Sequence, residues 1–207
     1  MNKINKSVVL KQAFCLNTAL TCIQFAIGIT LNSSAVIADG FNNLRDSLTI
    51  SVAIGGNSLC GRHRKRTRVI RVSAAVLNAC IVGLVIIVMF AQAIAHINNP
   101  SKHLVGIPII ISGILSIVVN GRVAFLVHKD HHEASTIALI GIVASISGGL
   151  CVALLGIWTQ IGADPSSDGA IGVVIATISL IAAIVTSLLS IRDSKHHHFA
   201  MLLQKNR

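Results

Sequence analysis

Long apolar stretches separated by short polar breaks set the pattern of this chain. Six stretches can be drawn, at about 12–31, 34–59, 72–95, 104–127, 136–160 and 169–191. A helix of about 20 residues rises roughly 30 Å, the thickness of a bilayer's hydrocarbon core. The pattern therefore predicts an all-α membrane protein with six transmembrane helices. The second stretch differs from the rest. Its middle reads "ADGFNNLRDS" from Ala38 to Ser47, with two aspartates, two asparagines and an arginine set between apolar flanks.

Composition agrees with the pattern. Hydrophobic residues make up 53% of the 207 positions and charged residues only 12%, too few to give a soluble domain a polar surface. The mean hydropathy is +0.78. Residues 1–11 form a basic N-terminus, 12–191 the six-helix transmembrane domain, and 192–207 a short histidine-containing tail that is too small for a core of its own.

The formal net charge of +10 changes the picture only through its distribution. Lys3, Lys6 and Lys11 precede the first span, and Arg62, Arg64, Lys65, Arg66, Arg68 and Arg71 lie around the break between the second and third. Lys129 follows the fourth span, and Arg192, Lys195, Lys205 and Arg207 follow the sixth. The loops on the other side hold Lys102. Fourteen basic residues thus stand against one, which predicts both termini on the cytoplasmic side. The run "RHRKRTR" reads as a topology signal and an anionic-lipid contact. Nucleic acid is not expected as a partner, because no aromatic platform accompanies the charge. No small-residue cleavage pattern ends the first apolar run, so it reads as a retained span. Cys15, Cys22, Cys60, Cys80 and Cys151 are scattered without a CxxC pair and read as small packing residues.

On a helix Asp39, Asn42, Asn43 and Asp46 fall at i, i+3, i+4 and i+7 and share one face. Ionisable residues at membrane depth are costly and usually mark a pathway. Two carboxylates beside two amides make a hard-oxygen cation site, able to add a nitrogen ligand from another helix. The bland alternative is that the asparagines join helices and Arg45 neutralises one aspartate. Arg122, in the fourth stretch, is expected to snorkel or to pair with an aspartate of the second. Histidines gather at His128, His131 and His132 ("HKDHHE") and at His196, His197 and His198. These are candidates for accessory metal capture, against the alternative of a solvated turn. "GIVASISGG" is a small-residue strip for close helix packing. Nothing supports an enzyme: the chain has no nucleophile elbow and no phosphate-cradling glycine loop. No cofactor is called for.

The second stretch resembles the second-span signature of the cation diffusion facilitator (cation efflux) family, roughly A-D-x-x-(H/D/N)-x-L-x-D, here running from Ala38 to Asp46. Other segments follow in order. Ala75-Val76-Leu77-Asn78-Ala79 and Ala93-Ile94 through Asn99-Pro100 are similar to the third span and its exit. Val119-Asn120 and Ala124-Phe125-Leu126 are similar to the fourth. Ser145 falls where the fifth span carries a serine, and Ala163-Asp164-Pro165 resembles the loop into the sixth. The resemblance covers about residues 10–193 and the transmembrane domain only; the family's soluble C-terminal domain has no counterpart in this sequence.

This resemblance implies a dimeric exporter of divalent metal, most often Zn²⁺, driven by proton antiport and lodged in the cell (inner) membrane. The family's tetrahedral site takes two ligands from the second span, at the positions of Asn42 and Asp46, with Asp39 one turn away. Asparagine at 42 favours a harder ion such as Mn²⁺ or Fe²⁺. Two further ligands are expected from the fifth span, but those positions fall on Ile137 and Gly141, which offer no side-chain donor. Arg45 beside Asp46 is a second departure. Two functions follow: a divalent-cation transporter with an incomplete family site, or a non-transporting relative that serves as partner or regulatory subunit of a metal transporter. The associated states are a homodimer or a heterodimer with a related transporter.

Overall fold

The computed structural model describes residues 6–62, 67–100, 104–128, 134–162, 164 and 166–205. Six helices follow one another: α1 (Lys6–Leu31), α2 (Ser34–Arg62), α3 (Thr67–Asn98), α4 (Gly106–His128), α5 (Ala134–Gln160) and α6 (Ser166–Lys205). No strand occurs among the described residues. Five of these helices contain stretches long and apolar enough to cross a membrane: Lys11–Leu31, Val72–Asn98, Gly106–Leu126, Ile140–Gln160 and Ser166–Leu189. The sixth, α2, matches them in length at 29 residues but is interrupted by Asp39, Arg45 and Asp46.

The reason α2 tolerates that polarity is its place in the bundle. It packs against every other helix, whereas α1 touches α2 and α4, and α3 touches α2 and α6. A helix enclosed by protein presents its polar groups to partners rather than to hydrocarbon. The outer faces carry the apolar surface instead, with Ile29, Leu84, Val118, Trp158 and Leu188 all exposed.

Two apolar clusters lie at different levels of the bundle. One joins Ala35, Val36 and Ala38 of α2 to Val85 and Met89 of α3, Ile109 of α4, Val152 and Leu155 of α5, and Ile175 and Ala176 of α6. The other joins Ala13 of α1, Val123 of α4 and Ile142 of α5, with Ile50 of α2 packed against it. The polar positions of α2, Asp39 to Asp46, lie between the two clusters in sequence and hence in height. On α4 and α5 the same layering holds, with Ser116 and Asn120 between Ile109 and Val123, and Ser145 between Ile142 and Val152.

The α1–α2 corner is built from local chemistry. Asn32 takes a left-handed φ of 49°. The Ser33 amide donates to Gly28 O at 2.8 Å and the Asn32 amide to Ile29 O at 3.2 Å. This pair of bonds is the helix-ending pattern that asparagine, like glycine, can adopt at that position. Ser33 then starts α2, its hydroxyl accepting from the Val36 amide at 3.4 Å. The remaining donors go to Asp168 of α6, whose Oδ1 accepts from Ser33 Oγ at 2.6 Å and from the Ala35 amide at 3.2 Å, while Oδ2 accepts from the Ser34 amide. A buried carboxylate from a distant helix thus caps the positive end of α2. His96 Nε2 lies 3.1 Å from Asn32 O on the neighbouring edge.

Helices α4 and α5 pack most extensively of all. A Cβ added at Gly149 would sit 2.8 Å from the Ser116 Cβ, and one at Gly156 would sit 2.6 Å from the Ile110 backbone nitrogen. Glycine is needed at both for the backbones to approach, which is the packing role expected of the small-residue strip. Helix α6 continues to Lys205, past the end of the apolar stretch near 191. No glycine or proline follows Gly172 to stop it.

Candidate metal-transport site

Asp39, Asn42 and Asn43 are fully buried in the bundle, and Arg45 is 5% exposed. Asp46 is the most open of the group, its side chain 19% exposed. One stripe on the helix surface becomes two separate networks in the bundle, because the i, i+4 pairs Asp39/Asn43 and Asn42/Asp46 face different neighbours.

The first network faces α1 and α4. Gln24 Nε2 donates to Asp39 Oδ2, and Gln24 Oε1 accepts from Asn43 Nδ2 at 2.8 Å. Asn43 Oδ1 accepts from Asn120 Nδ2 at 3.0 Å, and Asn120 in turn approaches Ser116 Oγ at 3.3 Å. The other oxygen of Asp39, Oδ1, is buried and has no hydrogen-bond partner among the described residues. Gly148 of α5 leaves the room it points into, since a Cβ there would lie 2.7 Å from Oδ1.

The second network faces α5 and α6. Ser145 Oγ donates to Asp46 Oδ2 at 2.7 Å and accepts from Asn42 Nδ2 at 3.0 Å. Ser179 Oγ donates to Asn42 Oδ1 at 2.8 Å. Asp46 Oδ1 accepts from Arg45 Nη2 at 2.8 Å and Nε at 3.1 Å, and Arg45 Nη1 reaches Ser179 O at 3.3 Å. Both oxygens of Asp46 are therefore engaged, one by a hydroxyl and one by a guanidinium. The arginine neutralises the neighbouring aspartate.

In donor chemistry the second network offers an amide oxygen, a carboxylate and a hydroxyl, a hard set with no imidazole or thiolate. No group of three or more His, Cys, Asp or Glu side chains comes together among the described residues. Gly141 lies one turn from Ser145, whose hydroxyl contacts Gly141 O at 3.2 Å. A Cβ built at Gly141 meets nothing within 4 Å, so the turn has space for a larger side chain. The side chain of Ile137 falls outside the described residues, as do the side chains of His128, His131, His132, His196, His197 and His198.

The family model of the cation efflux transmembrane domain matches residues 10–193. The chain belongs to the cation efflux family. Cation efflux proteins are membrane-embedded metal-cation transporters rather than enzymes, and this chain is an integral multi-pass membrane protein. A search of curated proteins gave no match.

Several buried polar residues on α1 and α4 have a signal that the helical spacing rule finds. Asn17, Thr21 and Gln24 on α1 stand at i, i+4 and i+7, and Ser112, Ser116 and Asn120 on α4 at i, i+4 and i+8; all six are buried. From these stripes Gln24 and Asn120 bond the α2 face, with Ser116 behind Asn120. Asp168 carries no such periodic signal, since its partner is the end of a helix more than 130 residues away. Arg122 does not pair with an aspartate of α2: its guanidinium lies 5.7 Å from the Phe125 ring centroid on the outer face.

Proposed function

We propose that this protein exports a divalent metal cation, Zn²⁺ first among candidates, from the cytoplasm in exchange for protons. In this reading all six helices span the cell (inner) membrane, both termini are cytoplasmic, and two copies associate. The observation that carries it is the polar layer: buried Asp39, Asn42 and Asn43 with half-buried Asp46, on the one helix that every other helix surrounds. Polar groups in that setting are costly unless they serve an ion path.

Asn42, Asp46 and Ser145 receive the ion, and Arg45 acts as a tethered stand-in for it when the site is empty. Asp46, the least buried member, lies toward the end where α1 starts and α2 finishes, so the ion enters there. An arriving cation displaces the guanidinium from Oδ1, which swings to its second partner, Ser179 O. The large apolar cluster between this layer and the α1–α2 corner closes the opposite exit. Rocking of the bundle opens that side, and protons taken up by Asp46 and Asp39 return the carriers. The histidines at 128, 131, 132, 196, 197 and 198 serve as accessory capture groups at the mouth.

One observation favours a second reading, a non-transporting partner subunit. The Arg45–Asp46 pair, together with Gly141 where a ligand is expected, leaves the site short of the roughly four donors of a tight zinc centre. Purified protein alone separates the two. A transporter gains thermal stability in detergent with micromolar Zn²⁺ and moves the metal across a vesicle wall, whereas a partner subunit does neither until co-reconstituted with a related transporter.

A further inference from the structure

We infer that His96 of α3 and Asp168 of α6 form a polar clasp on the α1–α2 corner, which keeps the bundle shut at that end. The inference rests on the transport reading only in making that end the exit. The two ends of the bundle are not closed alike. Near the corner, the larger apolar cluster takes residues from α2, α3, α4, α5 and α6. At the other level the cluster draws on α1, α2, α4 and α5, and none of its members among the described residues comes from α3 or α6. Apolar packing therefore seals α3 and α6 against the rest at the corner end.

Just inside the corner three helices meet with no side chain between them. A Cβ at Gly172 of α6 would lie 2.8 Å from Ser34 Oγ of α2 and 3.1 Å from Ala93 Cβ of α3. One at Gly169 would lie 2.8 Å from the Ile97 backbone nitrogen. Polar contacts hold this junction together. Asp168 accepts from the Ser33 hydroxyl and from the Ser34 and Ala35 amides, all in buried positions. On α3, His96 Nε2 lies 3.1 Å from Asn32 O and 3.2 Å from Asn32 Oδ1. A main-chain carbonyl can only accept, so Nε2 carries the hydrogen. The two parts of the clasp differ in strength. Water can replace the exposed His96 contact but does not reach the buried Asp168 bonds, so opening starts at His96.

The test uses the full chain in detergent with Cys15, Cys22, Cys60, Cys80 and Cys151 replaced by serine. One cysteine is then placed at Met89, fully buried and about two turns inside His96, or at Ile142 in the other cluster. A sulfonated maleimide, confined to water, reports how often each level opens. His96→Ala should speed labelling of Met89→Cys roughly two- to tenfold, the population shift that loss of one hydrogen bond brings. Ser33→Ala, which removes one of the three bonds to Asp168, should act in the same direction. His96→Gln keeps an N–H donor and should label close to the parent rate. Ile142→Cys should label at the parent rate in every background. Unchanged labelling of Met89→Cys in folded His96→Ala and Ser33→Ala proteins would overturn the proposal. So would an equal rise at Ile142→Cys, the mark of general loosening, or His96→Gln labelling as fast as His96→Ala. No metal enters the assay, so failure of metal transport would leave the clasp standing.

Discussion

Ser145 on α5 donates to Asp46 on α2 at 2.7 Å while accepting from Asn42 one turn earlier. One hydroxyl therefore fixes which face of α5 turns toward the α2 site. Gly141 lies on that face, with room for a side chain, and Ile137 stands one further turn back on the helix.

In the proposed transport reading, that register makes the α5 half of the site repairable. Ile137→His with Gly141→Asp adds two donors at i and i+4, giving with Asn42 and Asp46 about the four that a tight zinc site needs. Isothermal titration in detergent should show Zn²⁺ affinity raised by orders of magnitude, with the single Ile137→His far less effective. Where Arg45 still competes for Asp46, Arg45→Ser is added to reveal the gain. No gain with all three changes would mean that α5 does not present this face to α2.

The Arg45–Asp46 pair predicts a non-additive stability pattern. Asp46→Ala leaves a buried guanidinium with the Ser179 carbonyl as its remaining partner, at a cost of about 3–5 kcal/mol. Removing both charges with Arg45→Ser and Asp46→Ala relieves most of that cost. Thermal unfolding of the four proteins of the cycle in detergent checks it. Additive losses would show that the two side chains do not depend on each other.

Asp168 is expected to matter for the fold rather than for the ion. In Asp168→Asn the amide nitrogen faces either the Ser34 amide or the Ser33 and Ala35 donors, and a buried donor is left unsatisfied at about 1–3 kcal/mol. Asp164 also caps α6, with Oδ1 accepting from the Ser166 amide at 3.1 Å, but it is exposed. Asp164→Asn should therefore lower the melting temperature less. An equal or reversed order would contradict the tertiary cap.

The fourteen-to-one distribution of basic residues predicts both termini on the cytoplasmic side. Single cysteines at Ser101 and Ser166, in a background without the native cysteines, should react with an impermeant reagent from outside intact cells. Cysteines at Thr67 and Lys129 should not. Labelling of Thr67 from outside would invert the bundle.

Much of this architecture is legible in the sequence, because a membrane span announces itself by length and hydropathy alone. The α2 stripe was legible for the same reason: charges stand out against an apolar background. Its division into two networks was not, since that depends on which helices lie beside each i, i+4 row. Gln24 is not legible, and Asn120 is legible only as part of the fourth-span resemblance, because single amides in apolar helices look like packing residues until their polar partners on α2 are found. Asp168 was illegible for a different reason. Its role rests on contact with backbone amides at the start of α2, and backbone donors leave no mark in a sequence. Arg45 could be read as neutralising an aspartate, but the sequence did not choose between that role and repelling an incoming metal.

The central claim is that a divalent cation crosses this bundle through the Asn42–Asp46 site. Its most direct test is flux of ⁶⁵Zn²⁺ into proteoliposomes of the purified chain, with and without an opposing proton gradient. The account predicts uptake that rises with the gradient, falls to the protein-free level in Asp46→Ala, and is reduced less by Asp39→Ala. Uptake that persists unchanged in folded Asp46→Ala, or no uptake by the wild-type protein of Zn²⁺, Mn²⁺, Fe²⁺ or Co²⁺ under either condition, would contradict it.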